Sequence, residues 1–361
     1  MSSPPTAGPD TESPDDAASA PAQGRHRAEK TKGWMRRHKV ISSLIILVLV
    51  LILAVGGYML WLNLKLGNID RFDGLDASGR PDPAPGEALN ILLLGEDGDG
   101  DTQRADTIIL AHITEDRDNA YLVSIPRDSY VEIYDENNEP QGMNKINSAF
   151  SYYKEAGAQA TVEQLTDIRI DHVAKMNWEG FKDLSTALDG VRVYIPETVY
   201  DSSQDYTWEK GWENVEGKIA LKYVRTRHGL TNGDFDRIAR QQNFMRSLMN
   251  KLINEGLTSP TKLPGVLDAI TKNLDVDQTW SGGDIRDLAF NMRGLNSDNV
   301  QFLTAPMSGY DNDTPAGSVV LLDKRKCRQL WGAVRGDGKL TVEEYAEKYK
   351  KDALSDPKDV N

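Results

Sequence analysis

Cysteine is almost missing: one residue in 361, so no disulfide can form within the chain and a disulfide-stapled mini-protein is excluded. Glycine and proline, at 30 and 16 residues without a three-residue period, are too few for a collagen-like chain. Positive charge is also in deficit. There are 42 Lys+Arg against 55 Asp+Glu, a formal net charge of −13. A dedicated nucleic-acid binder carries a basic footprint on at least one domain, so no nucleic acid is expected as a partner. Long apolar runs are absent with one exception, which excludes a multi-span membrane protein. What remains, 39% hydrophobic and 27% charged, is enough chain for one large domain or two modest ones with real cores.

The exception lies near the start. Residues 1–39 open with Pro, Ala, Thr, Gly and acids and no apolar period, the composition of a disordered tail. They close on a basic run of Arg25, Arg27, Lys30, Lys32, Arg36, Arg37 and Lys39. Residues 40–62 then pass without one charged side chain, long enough to span a hydrocarbon core of about 30 Å. Trp34, Tyr58 and Trp61 stand where interfacial aromatics belong. We expect a single-pass anchor in membrane lipid. The cations before it keep the N-terminus in the cytoplasm and put everything after it outside. Beyond the anchor, 35 cations face 50 anions, a net of −15.

Residues 63–88, rich in Gly, Pro and Asp, are predicted to be an extracellular linker, 89–345 a catalytic domain and 346–361 a frayed tail. Within the domain, strand patterns at 91–94, 107–113, 121–125 and 130–134 precede helical patterns at 147–156 and 161–167. A strand at 171–177, a helix at 178–188 and a strand at 191–195 follow. A loop with Trp208 and Trp212 leads to helices near 216–226, 236–254, 261–273 and 282–293. Strands at 299–303 and 318–322 and a helix at 323–335 complete the pattern. This alternation predicts an α/β (α+β) fold with one mixed central β-sheet flanked by helices. Cys327 shares a helical face with Leu330 and Trp331, the place of a small core residue.

Polar residues gather against the apolar runs in two stretches. In LLLGEDGDGDTQRADTIIL, Asp97 projects from a strand end and Asp106 opens the next strand, so adjacent strands can bring both carboxylates to one Mg²⁺, with Mn²⁺ an alternative. Arg104 and Arg127 sit at neighbouring strand ends and suit bidentate phosphate contacts. An acidic turn of this kind is also compatible with a simply solvated loop. An EF-hand is excluded: Thr102 and Ile108 occupy the positions that need Gly and an acid. Residues 336–345 imitate the second half of such a loop, but Ala333 and Arg335 stand at its first ligand positions. A turn with a capped helix start at Thr341–Glu344 fits better.

In the second stretch, KYVRTRHGLTNGDFDRIARQQNFM, Arg225 and Arg227 flank a helix end, Asp234 lies in a Gly-containing turn, and Arg237, Arg240 and Gln241 share one helical face. In so acidic a domain this concentration points to a local anion site, with Lys145 and Asn147 as further contributors. His228 reads as a structural hydrogen-bonder beside the arginines, with a base as the alternative, and His172 as a strand residue.

The ordered motifs NILLLGED, RADTIILAHI, SIPRDSYV, NKINSAF, LDGVRVYIP and ALKYVRTRHGLTNGDFDRIARQQ resemble the LytR-CpsA-Psr family of bacterial cell-envelope proteins, from about Leu89 to Leu303. The resemblance implies a membrane-anchored phosphotransferase that moves a glycopolymer phosphate from a polyprenyl-pyrophosphate carrier onto peptidoglycan. It implies Asp97 and Asp106 as Mg²⁺ ligands. Arg104, Arg127, Lys145, Arg225, Arg227, Arg237, Arg240 and Gln241 would surround the pyrophosphate. Asp234 would position or deprotonate the acceptor. Arg127, Arg225, Arg227 and Asp234 are thus the expected catalytic set. An apolar groove for the prenyl tail is implied too. Two positions depart from the family pattern: Asp99 stands where an Arg is common, and Ser148 where a His is common. A polyprenyl-pyrophosphate phosphatase and a non-catalytic prenyl-lipid-binding regulator are the alternatives.

Overall fold

The computed structural model describes residues 53, 56–84, 86–97, 103–226, 228–230, 234–256, 259, 261–292, 295 and 299–337. At Asp97, Trp178, Asp234, Phe235 and Ile238 the backbone alone is described. The expected disordered tail, most of the 40–62 run, the 341–344 cap and the C-terminal tail lie outside these residues. Among the described residues no helix is long and apolar enough to cross a membrane. Of residues 1–58, only 53 and 56–58 are described, all helical.

The rest is built on β2 (Leu89–Asp97) and β3 (Arg104–Ile113), antiparallel neighbours with a register shift between Gly95 and Glu96. Both are near-continuous apolar runs, as strands covered on both faces must be. β4 (Ala120–Ser124) adds antiparallel to β3, and β7 (His172–Asn177) parallel to β2. With β1 (Asp70–Phe72), β12 (Leu274–Asp277) and β13 (Val300–Thr304) they form a seven-stranded mixed sheet ordered β1-β12-β7-β2-β3-β4-β13. The sequence-based expectation of a mixed central sheet between helices thus holds.

α1 (Asn147–Thr166) and α7 (Lys324–Arg335) cover one face over Leu92, Leu110, Val123, Phe150 and Trp331. Cys327 is buried there, in its expected core position. On the other face lie α4 (Asp234–Lys251), α5 (Leu263–Asn273), α6 (Gly282–Asn291) and the helical residues 59–66. A third cluster joins α4 to α2 (Trp178–Ala187) and α3 (Gly217–Arg225) through Phe181, Trp208, Tyr223 and Phe244. Gly190, at φ +80°, turns the chain from α2 into β8 (Val191–Ile195); a Cβ there would meet the Asn214 amide at 2.3 Å.

Three segments differ from the sequence-based reading. The two helices expected at 147–156 and 161–167 are present within α1, but the break between them falls at Lys154 (φ 54°, ψ −151°), earlier than expected. The loop with Trp208 and Trp212 is two short hairpins: β9 (Val199–Asp201) with β10 (Tyr206–Trp208), and β11 (Gly211–Val215) with β8. Three residues are too few to show a period, and β11 (GWENV) lacks apolar alternation.

The segment assigned to a linker carries β1, parallel to β12, and buries Leu75. Farther along it, Arg80 makes a two-nitrogen fork on Glu163 at 2.6 and 2.9 Å. β1 has three residues, and its partner strand lies some two hundred residues downstream, so no local pattern announces it.

Candidate active site

The site forms where β3 begins and β4 ends. After β4 the chain turns through Pro126–Ser129, a turn pinned from several sides. Ser129 N and Oγ both donate to the Pro126 carbonyl. Asn147 N donates to the Arg127 carbonyl at 3.1 Å, and Val320 N to that of Asp128 at 2.8 Å. Val320 belongs to β15 (Gly317–Leu322). A backbone held this firmly aims its side chains.

Arg127 Nη1 reaches Asp106 Oδ1 at 2.7 Å, and Arg127 Nε lies 3.4 Å from Asp128. Lys145, which ends β6 (Pro140–Lys145), places Nζ 3.1 Å from the other Asp128 oxygen. Charges of opposite sign therefore alternate through Asp106, Arg127, Asp128 and Lys145. All four side chains are partly shielded from solvent, which limits dielectric screening.

α4 closes the site from the other side. Asp106 and Arg127 share a cavity of about 40 Å³ with Gln241, Gln242, Met245 and Thr304. Gln241 donates to the Val224 carbonyl of α3 at 3.2 Å, and Gln242 to Thr304 Oγ1 at 2.8 Å. On the same helix Arg237 and Arg240 are buried, at 3% and 0% exposure. The Arg240 guanidinium stands 5.2 Å over the Tyr223 ring, and among the described residues none of its three nitrogens has a hydrogen-bond partner. Burial pushes its pKa down, while Tyr223, Asp236 and Asp201 act the other way. The same burial raises the Tyr223 hydroxyl. A charge buried without hydrogen bonds is costly, and a guanidinium fork in that condition matches the oxygens of a phosphate.

The remaining expected site residues fall as follows. Asp97 ends β2, paired in register with Arg104, which is exposed at the start of β3. Arg225 is exposed at the end of α3, and Asp234 is the first residue of α4. Arg227 lies outside the described residues. His228 is exposed in the turn beyond α3. His172 is a strand residue as expected, 3.2 Å from Asp277 and stacked on Trp280. Ser148 turns its hydroxyl back onto the Lys145 carbonyl at 2.6 Å.

Two residues escaped sequence reasoning. Asp128 links Arg127 to Lys145, and its signal was the Arg-Asp pair in SIPRDSY. Gln242 gave none beyond adjacency to Gln241.

Among the described residues no group of three or more His, Cys, Asp or Glu is placed to hold a metal ion. Magnesium, however, commonly takes one or two protein carboxylates and completes its shell with water and substrate phosphate. Asp106 lines the cavity, and the backbone of Asp97 ends the adjacent strand.

This is an α/β scaffold that gathers Asp106, Arg127 and Gln241 around one cavity and buries Arg237 and Arg240 on the adjoining helix. Its sequence matches the LytR_cpsA_psr family over residues 68–335, and the chain belongs to that family. It is 29% identical to the cell wall biosynthesis protein LcpA of Corynebacterium glutamicum, over 94% of this chain and 73% of that protein. It is 30% identical to the polyisoprenyl-teichoic acid–peptidoglycan teichoic acid transferase TagU of Bacillus licheniformis, over 76% of this chain and 88% of that one. A solved structure of TagT bound to LIIa-WTA superposes with a TM-score of 0.58 at 25% identity, covering 74% of this chain and 99% of TagT. A LytR-Csp2A-Psr enzyme from Actinomyces oris shares the fold, with a TM-score of 0.57 at 18% identity over 74% and 95% of the two chains.

Proposed function

We propose that this protein is a membrane-anchored phosphotransferase that moves a glycopolymer phosphate from a polyprenyl-pyrophosphate carrier onto a hydroxyl of peptidoglycan, outside the cell. The observation that carries the reading is the meeting of Asp106, Arg127 and Gln241, drawn from three distant parts of the chain, around one cavity. Buried Arg240 lies on the same helix. Membership of a family whose relatives include a named teichoic acid transferase supports it.

In the proposed step the acceptor oxygen attacks the glycopolymer-bearing phosphorus and the bond to the prenyl phosphate breaks. The hydroxyl proton passes to a carboxylate, and the prenyl phosphate leaves as the anion. Negative charge grows on the leaving oxygens, and fixed guanidinium groups in a shielded site stabilise such charge without reorganising. Arg127 is held by Asp106 and Asp128 for that task, and the three Arg240 nitrogens, without hydrogen-bond partners among the described residues, would supply their N–H donors to it. Asp97 and Asp106 would hold Mg²⁺, which when bound would add charge neutralisation at the phosphate oxygens.

The 40 Å³ cavity does not hold a prenyl chain, so this reading requires the apolar layer beneath α4–α6 to open. Half-buried Met245, Met249 and Met292 line that layer, and methionine repacks readily. The test incubates the detergent-solubilised full chain with Mg²⁺, a lipid-pyrophosphate glycopolymer and peptidoglycan oligomers. A covalent polymer–peptidoglycan product is expected. Release of free phosphate-terminated polymer alone would make the protein a phosphatase instead, and no turnover of the lipid would leave a binder.

A further inference from the structure

A second, larger concavity lies across the sheet from α4. It is a groove of about 1050 Å³ between β5 (Tyr130–Tyr134), β6, the end of α1, β15 and α7. That volume reaches the upper end of the range for ligand pockets, about 300–1,000 Å³.

Its wall is aromatic, with Tyr130, Tyr134 and Trp331. Trp331 is only 4% exposed, yet its indole N–H has no hydrogen-bond partner among the described residues. A buried indole normally finds an acceptor, so this donor is spare. The rim carries three exposed cations on one helix, Lys324, Arg325 and Arg328, facing only Glu132 and Asp323 as lining acids. In a region of net −15 such a rim is a local reversal of sign.

The groove also begins beside the site: its lining residue Tyr130 pairs across strands with Lys145. Tyr130 is two residues past Asp128. Val320, whose N–H holds the Asp128 carbonyl, directly precedes the lining residues Leu321 and Leu322.

We infer that this groove seats the acceptor, a peptidoglycan saccharide strand bearing carboxylates. Pyranose rings lay their C–H faces on aromatic side chains, their hydroxyls take up indole and guanidinium donors, and carboxylates meet the cationic rim. The inference rests on the transferase reading, and geometry favours the acceptor over the donor. Attacking and leaving oxygens lie roughly in line in phosphoryl transfer. Arg127 points its guanidinium to the α4 side, where the donor is placed. The nucleophile must then arrive from the other side of the 127–128 turn, where the groove begins.

The test measures binding of an uncrosslinked, peptide-bearing peptidoglycan tetrasaccharide to the full chain in detergent, with neither lipid donor nor Mg²⁺. It compares wild type with the surface variants R325E/R328E and R325Q/R328Q. Charge reversal is expected to weaken binding at least tenfold and neutralisation less. In transfer assays the acceptor KM should rise while the donor KM stays put. The same strand with its carboxylates amidated should bind the wild type more weakly. Unchanged binding in R325E/R328E overturns the proposal, and so does tighter groove binding by a carboxylate-free poly(polyol phosphate), which would make this the donor's channel. Because binding is read without donor, the absence of transfer by the wild type would count against the transferase reading alone. Intact transfer with unaltered acceptor KM in R325E/R328E would count against the groove alone.

Discussion

Arg240 sets the stability of the free protein against the binding of its substrate, and Arg240→Met separates the two. The guanidinium is fully buried and its Nε, Nη1 and Nη2 have no hydrogen-bond partner among the described residues. A buried donor left unmade costs about 1–3 kcal/mol, and more when charged. Contact with the Tyr223 ring returns about 1–2 kcal/mol, and the carboxylates of Asp236 and Asp201 offset part of the rest through charge. Methionine keeps most of the side chain's length and removes all three donors. The unliganded variant is therefore expected to be more stable by about 1–3 kcal/mol. For a domain of this size that is a rise in Tm of about 2–4 °C per kcal/mol.

Binding should move the other way. A ligand at one hundred times its Kd stabilises the folded state by about 2.7 kcal/mol. Inorganic pyrophosphate should raise the melting temperature of the wild type and leave Arg240→Met nearly unmoved. Thermal melts of both proteins, with and without pyrophosphate, decide the matter. If the methionine variant melts lower without ligand, Arg240 has partners that stabilise it and the reasoning about its spare donors fails. Equal pyrophosphate shifts in the two proteins would move the anion site away from α4.

Asp106→Asn removes the carboxylate 2.7 Å from Arg127, and initial rates of polymer transfer should fall by about 10²–10³ or more; a loss under fivefold would remove Asp106 from the site. Arg80→Ala leaves the Glu163 side chain, 0% exposed, without its cation, so urea unfolding should show a loss of about 3–5 kcal/mol, largely recovered in Arg80→Ala/Glu163→Gln. His112 is buried, bonded to Asn90 at 2.7 Å and Asp337 at 2.9 Å, and burial pulls its pKa below the ordinary 6.5 despite the acid. The unfolded chain then binds the extra proton first. The contribution of neutral His112 is thus complete above pH 6.5 and declines as pH falls from there toward the folded pKa. Denaturant midpoints measured from pH 7.5 to 5 should drop, and His112→Gln should flatten that slope.

The parts of the fold that could be read from the sequence are those whose signal is local. β5 and β8 are found at the residues their alternation marks, and the apolar runs of β2 to β4 are long enough to show themselves. β1 and β10, three residues each, are too short to show a period, and β11 (GWENV) has the length of β5 and β8 without their apolar alternation. At the site, side-chain chemistry pointed to Asp106, Arg127, Arg240 and Gln241. It could not separate the buried Arg237 and Arg240 from the exposed Arg104 and Arg225, since all four are the same residue type beside apolar sequence. Burial comes from packing α4 against α3 and the sheet, which no window of sequence contains.

That difference matters more in this chain than in a basic one. A net charge of −15 beyond residue 62 repels a polyanion at long range, but at physiological salt the Debye length is about 8 Å, so the repulsion fades before contact. Within the site the balance reverses, because charges held out of water interact through a lower effective dielectric than those on the surface. An exposed arginine in so acidic a domain is readily satisfied by neighbouring carboxylates or water and adds little to anion affinity. Arg240, buried against a tyrosine ring with Asp236 and Asp201 acting on it through charge, has no hydrogen bonds among the described residues, and phosphate oxygens would supply them. On the proposed function, selectivity for a bound phosphate comes from where α4 places its buried arginines, and the acidic surface around them disfavours every polyanion that cannot reach them.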